Sequence, residues 1–139
     1  LAKELKLETW AFFMIGLPGD TKNTLEETFK FAKKINPDIA KFHILKPYPG
    51  TEVYDYLRAR NLIVTEDYNQ FGIHTPPIHR LEGLGPDDMV AWQKRAYKNF
   101  YFRPSKIAEQ LFRVKTFNRF ILNLQAGLSL LKLVAGKHE

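Results

Sequence analysis

Apolar positions gather in two short runs in the first third of the chain and recur at helical spacing after that. Trp10 to Leu17 is almost wholly apolar, stops at Gly-Leu-Pro-Gly-Asp, and is too short for a typical independent helix. It predicts a strand buried on both faces, the kind found in parallel sheets. Ile39 to Leu45 is a second run, interrupted by Lys41 and His43 and closed by Pro47-Tyr48-Pro49-Gly50. Between the runs, Thr24-Leu-Glu-Glu27 reads as a capping box, with the Thr24 hydroxyl accepting from the Glu27 amide. A helix is expected to start there, burying Leu25, Phe29 and Ala32 and leaving Glu26, Lys30, Lys33 and Lys34 wet. Pro37 disfavours helical geometry at Asn36 and ends it. Strand, helix and strand in this order make the parallel crossover unit.

Thr51 can cap a short helix reaching Arg60. Residues 61 to 85 carry Gly72, Pro76-Pro77, Gly83 and Gly85 and predict a long irregular connection, a kind usually functional or packed over a site. Pro86 suits the first turn of a helix, where Asp87 and Asp88 complement the dipole. Met89, Trp92, Ala96 and Phe100 mark its apolar side, Pro104 breaks the pattern, and Ile107, Leu111 and Val114 mark the next helix. A last segment sets Phe117, Ile121, Leu124, Leu128, Leu131 and Ala135 near one face. No run of about 20 uninterrupted apolar residues predicts a spanning helix. The organisation expected is therefore an α/β part over 1–62, an irregular connection over 63–85 and a basic helical extension over 86–139.

At 139 residues and 45% hydrophobic the chain can hold a core. It opens on Leu1 with no secretory leader, which suggests a piece of a larger protein. The absence of cysteine excludes disulfides, zinc-thiolate sites and iron-sulfur ligation within these residues, and fits an intracellular, cytoplasmic setting. Charge is uneven. Residues 1–90 hold 11 Lys/Arg against 13 Asp/Glu, net −2, whereas 91–139 hold 10 against 2, net +8. A patch of that sign meets an anionic membrane surface, nucleic acid or an acidic partner, or simply solvates a helical face.

The turn at Gly16 and Gly19 lacks the spacing of a P-loop or a dinucleotide fingerprint. Two glycines at a strand end leave backbone amides and carbonyls open to a flat ligand, or they merely make a tight turn. Alternation along the second run separates Lys41, His43 and Leu45 from Phe42, Ile44 and Lys46. His43 is the candidate proton donor or substrate contact if the first set faces the site, and Lys46 is the candidate at its mouth if the second does. His74 and His79 lack a third ligand at usual spacing, so no metal site is assigned. Tyr97, Phe100, Tyr101 and Phe102, amid Lys94, Arg95, Lys98 and Arg103, mimic a nucleic-acid stacking surface, and helical packing explains them equally well.

"FFMIGLPGDT", "INPDIAKFHILKPYPGTEVYDYL" and "GLGPDDMVAWQKRAYKNFYFRP" resemble the second half of the catalytic region in radical S-adenosylmethionine enzymes, closest to the cobalamin-associated branch. That branch typically carries Gly-Leu-Pro-Gly-Glu-Thr after the fifth barrel strand and Pro-Tyr-Pro-Gly-Thr after the sixth. The resemblance implies the C-terminal part of a partial (β/α)6 TIM-like barrel, two parallel strands with a crossover helix, followed by an α-helical extension. It also implies a 4Fe-4S cluster and S-adenosylmethionine as cofactors, with cobalamin in the parent protein, and radical chemistry ending in methyl transfer, cyclisation or rearrangement. Met14, Ile15, Gly16, Leu17 and Asp20 fall where the family contacts the adenosine end of the cofactor. Phe12 departs from the pattern, standing where the family has glycine.

The implied partners are the missing N-terminal part, which would carry the cluster cysteines, and a small-molecule or lipid-like substrate. The part in hand is expected to be inactive alone. A different class, a basic module whose C-terminal helix touches an anionic membrane, is the alternative, with nucleic acid the less favoured partner.

Overall fold

The computed structural model describes residues 2, 4–5, 7–72 and 75–113. It divides into two compact units, Leu1–Gln93 and Lys94–Glu139. The expectations for His74, Val114 and the segment from Phe117 to Ala135 lie outside the described residues.

The first unit is α/β. Strand β1 (Trp10–Ile15) pairs in parallel with β2 (Ile39–Ile44), and helix α1 (Lys22–Ile35) connects them. Register runs from Trp10 opposite Ile39 to Ile15 opposite Ile44. A buried carboxylate fixes it at the entry. Asp38 Oδ2 accepts from the Thr9 amide at 2.7 Å and from the Thr9 hydroxyl at 2.9 Å, while the Asp38 amide donates to Thr9 Oγ1 at 3.0 Å. The Ile39 amide then donates to Thr9 O at 3.0 Å, and the Leu45 amide closes the ladder on Ile15 O at 2.8 Å.

Helix α1 begins three residues before the sequence expectation. Thr21 is the cap, and Thr24 closes the box with its own hydroxyl rather than Glu27 doing so with a carboxylate. Thr21 serves because Asp20 already holds the preceding turn, so helical geometry starts directly behind it. Leu25, Phe29 and Ala32 are buried as their spacing predicts, and Asn36 takes the left-handed conformation ahead of Pro37.

The expectation that β1 is buried on both faces is corrected. Ala11, Phe13 and Ile15 turn inward, but Trp10, Phe12 and Met14 are 54%, 66% and 46% exposed. A run of apolar residues does not by itself tell a doubly covered strand from one with an open apolar face. Ala40 and Phe42 are fully buried, Phe13 stacks on Phe42 with centroids 5.1 Å apart, and Gln93 Nε2 donates to Phe42 O at 2.6 Å.

Thr51 caps α2 (Glu52–Arg58), its oxygen accepting from the Tyr54 amide and its hydroxyl donating to Tyr48 O at 2.7 Å. The described part of the connection after α2 carries a 3₁₀ turn at Tyr68–Gln70. It folds back on itself: Val64 N donates to Ile78 O and Arg80 N to Leu62 O, both at 2.8 Å. Tyr54, Phe71 and Ile78 form a small core beneath it.

Helix α3 (Pro86–Tyr101) starts at its proline, with Asp88 Oδ2 accepting from the Gly85 amide at 2.9 Å. In the second unit Ala96, Tyr97 and Phe100 are buried, and α4 (Pro104–Arg113) follows the predicted break. Tyr97 and Phe100 both pack against Tyr101, so this aromatic group is engaged with itself. Ile107, read as core, is 43% exposed, while Lys106 is buried beside the Phe100 ring and paired with Glu109 at 3.1 Å. No described helix is long and apolar enough to cross a membrane.

Asp38→Ala strips the strand entry of its acceptor and leaves the Thr9 amide unpaired. Urea denaturation of the chain is expected to show a loss of about 2–3 kcal/mol.

Candidate functional site

In a parallel pair both strands leave at the same edge, which is where such sheets bind ligands. Here that edge carries the turn 16–20 after β1 and Lys46 after β2. Gly16 adopts φ +86° and Gly19 φ +92°, a region open to glycine at little cost.

The turn is closed from within. Asp20 Oδ2 accepts from the amides of Gly16 (2.9 Å) and Leu17 (3.0 Å), and its Oδ1 accepts from the Thr24 hydroxyl at 3.3 Å. The Asp20 amide donates to Leu17 O at 2.9 Å. The Gly16 carbonyl accepts from His79 Nε2 at 2.8 Å, and Ile15 O is taken by Leu45. The backbone groups that sequence reasoning offered to a ligand are therefore occupied at Gly16 and at the Leu17 amide. What remains outward are the side chains of Met14 and Leu17, 46% and 42% exposed, whereas Ile15 is buried.

The register resolves the alternation left open by the sequence. Lys41 lies beside Phe12 and His43 beside Met14, so both share the open face with Trp10. Rings extend across it: Trp10 to Phe12 at 6.4 Å and Phe12 to His43 at 6.2 Å, the latter pair stacked with their planes 15° from parallel. Phe12 is thus one of the centres of this aromatic surface.

Lys46 has a different position. Its ammonium donates to Gln70 O at 3.1 Å, Thr75 O at 3.1 Å and Thr75 Oγ1 at 3.0 Å, and also to Pro76 O. It clamps the connection onto the end of β2. Burial pushes its pKa below the ordinary 10.5, while the surrounding oxygens favour the charged form.

Sequence reasoning weighed His79 only as a metal ligand and missed this role. Its imidazole is fully buried, and a Cβ on Gly16 would lie 2.9 Å from His79 Nε2 and 2.9 Å from Met89 Sδ. Glycine at position 16 is therefore required by both its φ and its neighbours. Because the partner of Nε2 is a carbonyl, Nε2 carries the hydrogen; Nδ1 is buried without a partner. Protonation would create a second buried N–H with nothing to accept it. Burial lowers the His79 pKa below 6.5, the bond to Gly16 works in the opposite direction, and the Lys46 charge lowers it further. Among the described residues no group of three His, Cys, Asp or Glu could hold a metal ion.

The chain is 34% identical over 111 residues to an uncharacterized methyltransferase, PH0819, of Pyrococcus horikoshii, a match covering 80% of this chain and 24% of that protein. It is 31% identical over 103 residues to the anaerobic magnesium-protoporphyrin IX monomethyl ester cyclase of Cereibacter sphaeroides, covering 74% and 16%. It is 26% identical over 118 residues to the bacteriochlorophyllide d C-8(2)-methyltransferase of Chlorobaculum tepidum, covering 85% and 25%. Its relatives are enzymes, methyltransferases and a cyclase. They support the resemblance to the radical S-adenosylmethionine superfamily, and the chain spans about a quarter or less of their length. No protein-family model matches the chain.

The His79 pKa gives stability a pH dependence of definite sign. The unfolded chain takes up the proton first, so the stability associated with neutral His79 is complete above the unfolded value and is lost as pH falls below it. Between about pH 7.5 and about pH 5.5, the urea midpoint of the chain is expected to drop more than that of His79→Gln, which cannot take up this proton.

Proposed function

We propose that this chain is the part of a radical S-adenosylmethionine enzyme that supplies the adenine-facing turn and one wall of a partial barrel. The observation that carries the reading is the position of the two motifs. Gly-Leu-Pro-Gly-Asp-Thr and Pro-Tyr-Pro-Gly-Thr follow two adjacent parallel strands and so emerge at one edge. The methyltransferase and cyclase relatives support it.

The fit of each cofactor differs. Met14 and Leu17 present apolar side chains suited to a flat purine, with Ile15, Gly16 and Asp20 acting behind them to hold the turn rather than offering hydrogen bonds. A 4Fe-4S cluster does not fit this chain, which has no cysteine, so its ligands belong to another part of the whole protein. Cobalamin, implied by the branch, is likewise assigned outside these residues. The chemistry that cluster and S-adenosylmethionine supply together is reductive cleavage of the sulfonium to a 5′-deoxyadenosyl radical.

The open face then serves the substrate. Trp10, Phe12 and His43 form a surface for a flat ring system, and Lys41 offers a cation to a carboxylate on its rim. His43 places ring nitrogens on the same face as Met14, where a proton could be held beside the substrate. Two of the relatives are named for tetrapyrrole substrates, which are flat and of this kind.

The whole protein, reconstituted anaerobically with iron and sulfide and given a reductant, is expected to form 5′-deoxyadenosine from S-adenosylmethionine. Its absence from a protein with an intact cluster sinks the reading. A second reading, contact of the basic C-terminal third with an anionic membrane, is supported by the net +8 of residues 91–139. Binding to phosphatidylglycerol vesicles that disappears at high salt is its expected signature, and salt-independent or absent binding refutes it.

A further inference from the structure

We propose that His79 is a positioning residue for the turn after β1. Its Nε2–H bond to the Gly16 carbonyl holds the left-handed Gly16 conformation, so the outward setting of Met14 and Leu17 depends on a side chain 63 residues away in sequence. The consequence for ligand affinity rests on the reading of that turn as the adenine contact; the positioning itself does not.

Two groups fix Gly16, and they differ in kind. Asp20 lies four residues away and takes the Gly16 amide whenever the turn itself forms. His79 comes from the far arm of the long connection, where pairing with residues 62–64 holds it. The carbonyl of Gly16 has this bond only when the connection is docked. Without it, a buried carbonyl is left unpaired, which favours rotation of the peptide toward water.

The geometry also assigns a single tautomer. Nδ1 has no partner, and the ring is fully buried, so neither nitrogen reaches solvent to act on a substrate. His79 therefore acts through Gly16. A purely space-filling role would be met by an apolar side chain of similar size. A positioning role requires an N–H at the Nε2 position, which glutamine can supply and leucine cannot.

The test compares the whole protein that contains this chain, unmodified, with its His79→Gln and His79→Leu forms. S-adenosylhomocysteine is the calorimetric probe, because it keeps the adenosine and lacks the cleavable sulfonium. Loss of the donor is expected to weaken binding about tenfold in His79→Leu, with His79→Gln within about threefold of the unmodified protein. Amide exchange by NMR should show protection lost in His79→Leu at Leu17, whose amide shares a peptide with the Gly16 carbonyl, kept there in His79→Gln, and unchanged in both at Ile39 and Leu45. Unchanged exchange at Leu17 in His79→Leu overturns the proposal, as does a ring ¹⁵N spectrum placing the proton on Nδ1. If the unmodified whole protein does not bind the probe, the adenine reading of the turn falls, and the exchange data still decide the positioning role.

Discussion

Parallel pairing is the constraint from which the rest of the first unit follows. Two parallel strands cannot be joined by a tight turn, so the chain must travel the length of the sheet and return, which α1 does. The return brings the ends of β1 and β2 out at one edge, each with a backbone that must be closed by something. Asp38 and Thr9 close the opposite, entry end. At the exit, the closure comes partly from the turn itself and partly from a segment much later in the chain.

That later segment gives the exit edge its character. Lys46 holds it at the end of β2, and His79 reaches from it to the end of β1. A connection that looks irregular by secondary structure is therefore anchored at both strand ends, with Tyr54, Phe71 and Ile78 packed as its own small core. Its irregularity reflects the path it must follow across two strand ends rather than a lack of structure.

The elements were legible where local chemistry decides them. The spacing of Leu25, Phe29 and Ala32, the Pro37 stop, the Thr51 cap and the Pro86 and Pro104 helix starts all depend on near neighbours. The cap of α1 was misplaced by three residues because Thr21 and Thr24 are both competent, and the choice depends on Asp20 closing the turn first. The open face of β1 was not legible, since Trp10, Phe12 and Met14 are as apolar as a covered face would be. At the exit edge, the motif glycines marked the turn, but not what fills it. The bond from His79 spans 63 residues and leaves no periodic signal, and Lys46 looks like any other basic residue at a strand end.

The Lys46 clamp has a consequence for how this segment can change. Three of the four oxygens around the ammonium are main-chain carbonyls, of Gln70, Thr75 and Pro76; only the Thr75 hydroxyl is a side-chain group. Carbonyls are offered by every residue type, so the clamp recognises the path of the backbone and is nearly blind to the letters written along it. The outward side chains of this segment are thereby free to diverge between related proteins while its anchorage to β2 stays the same.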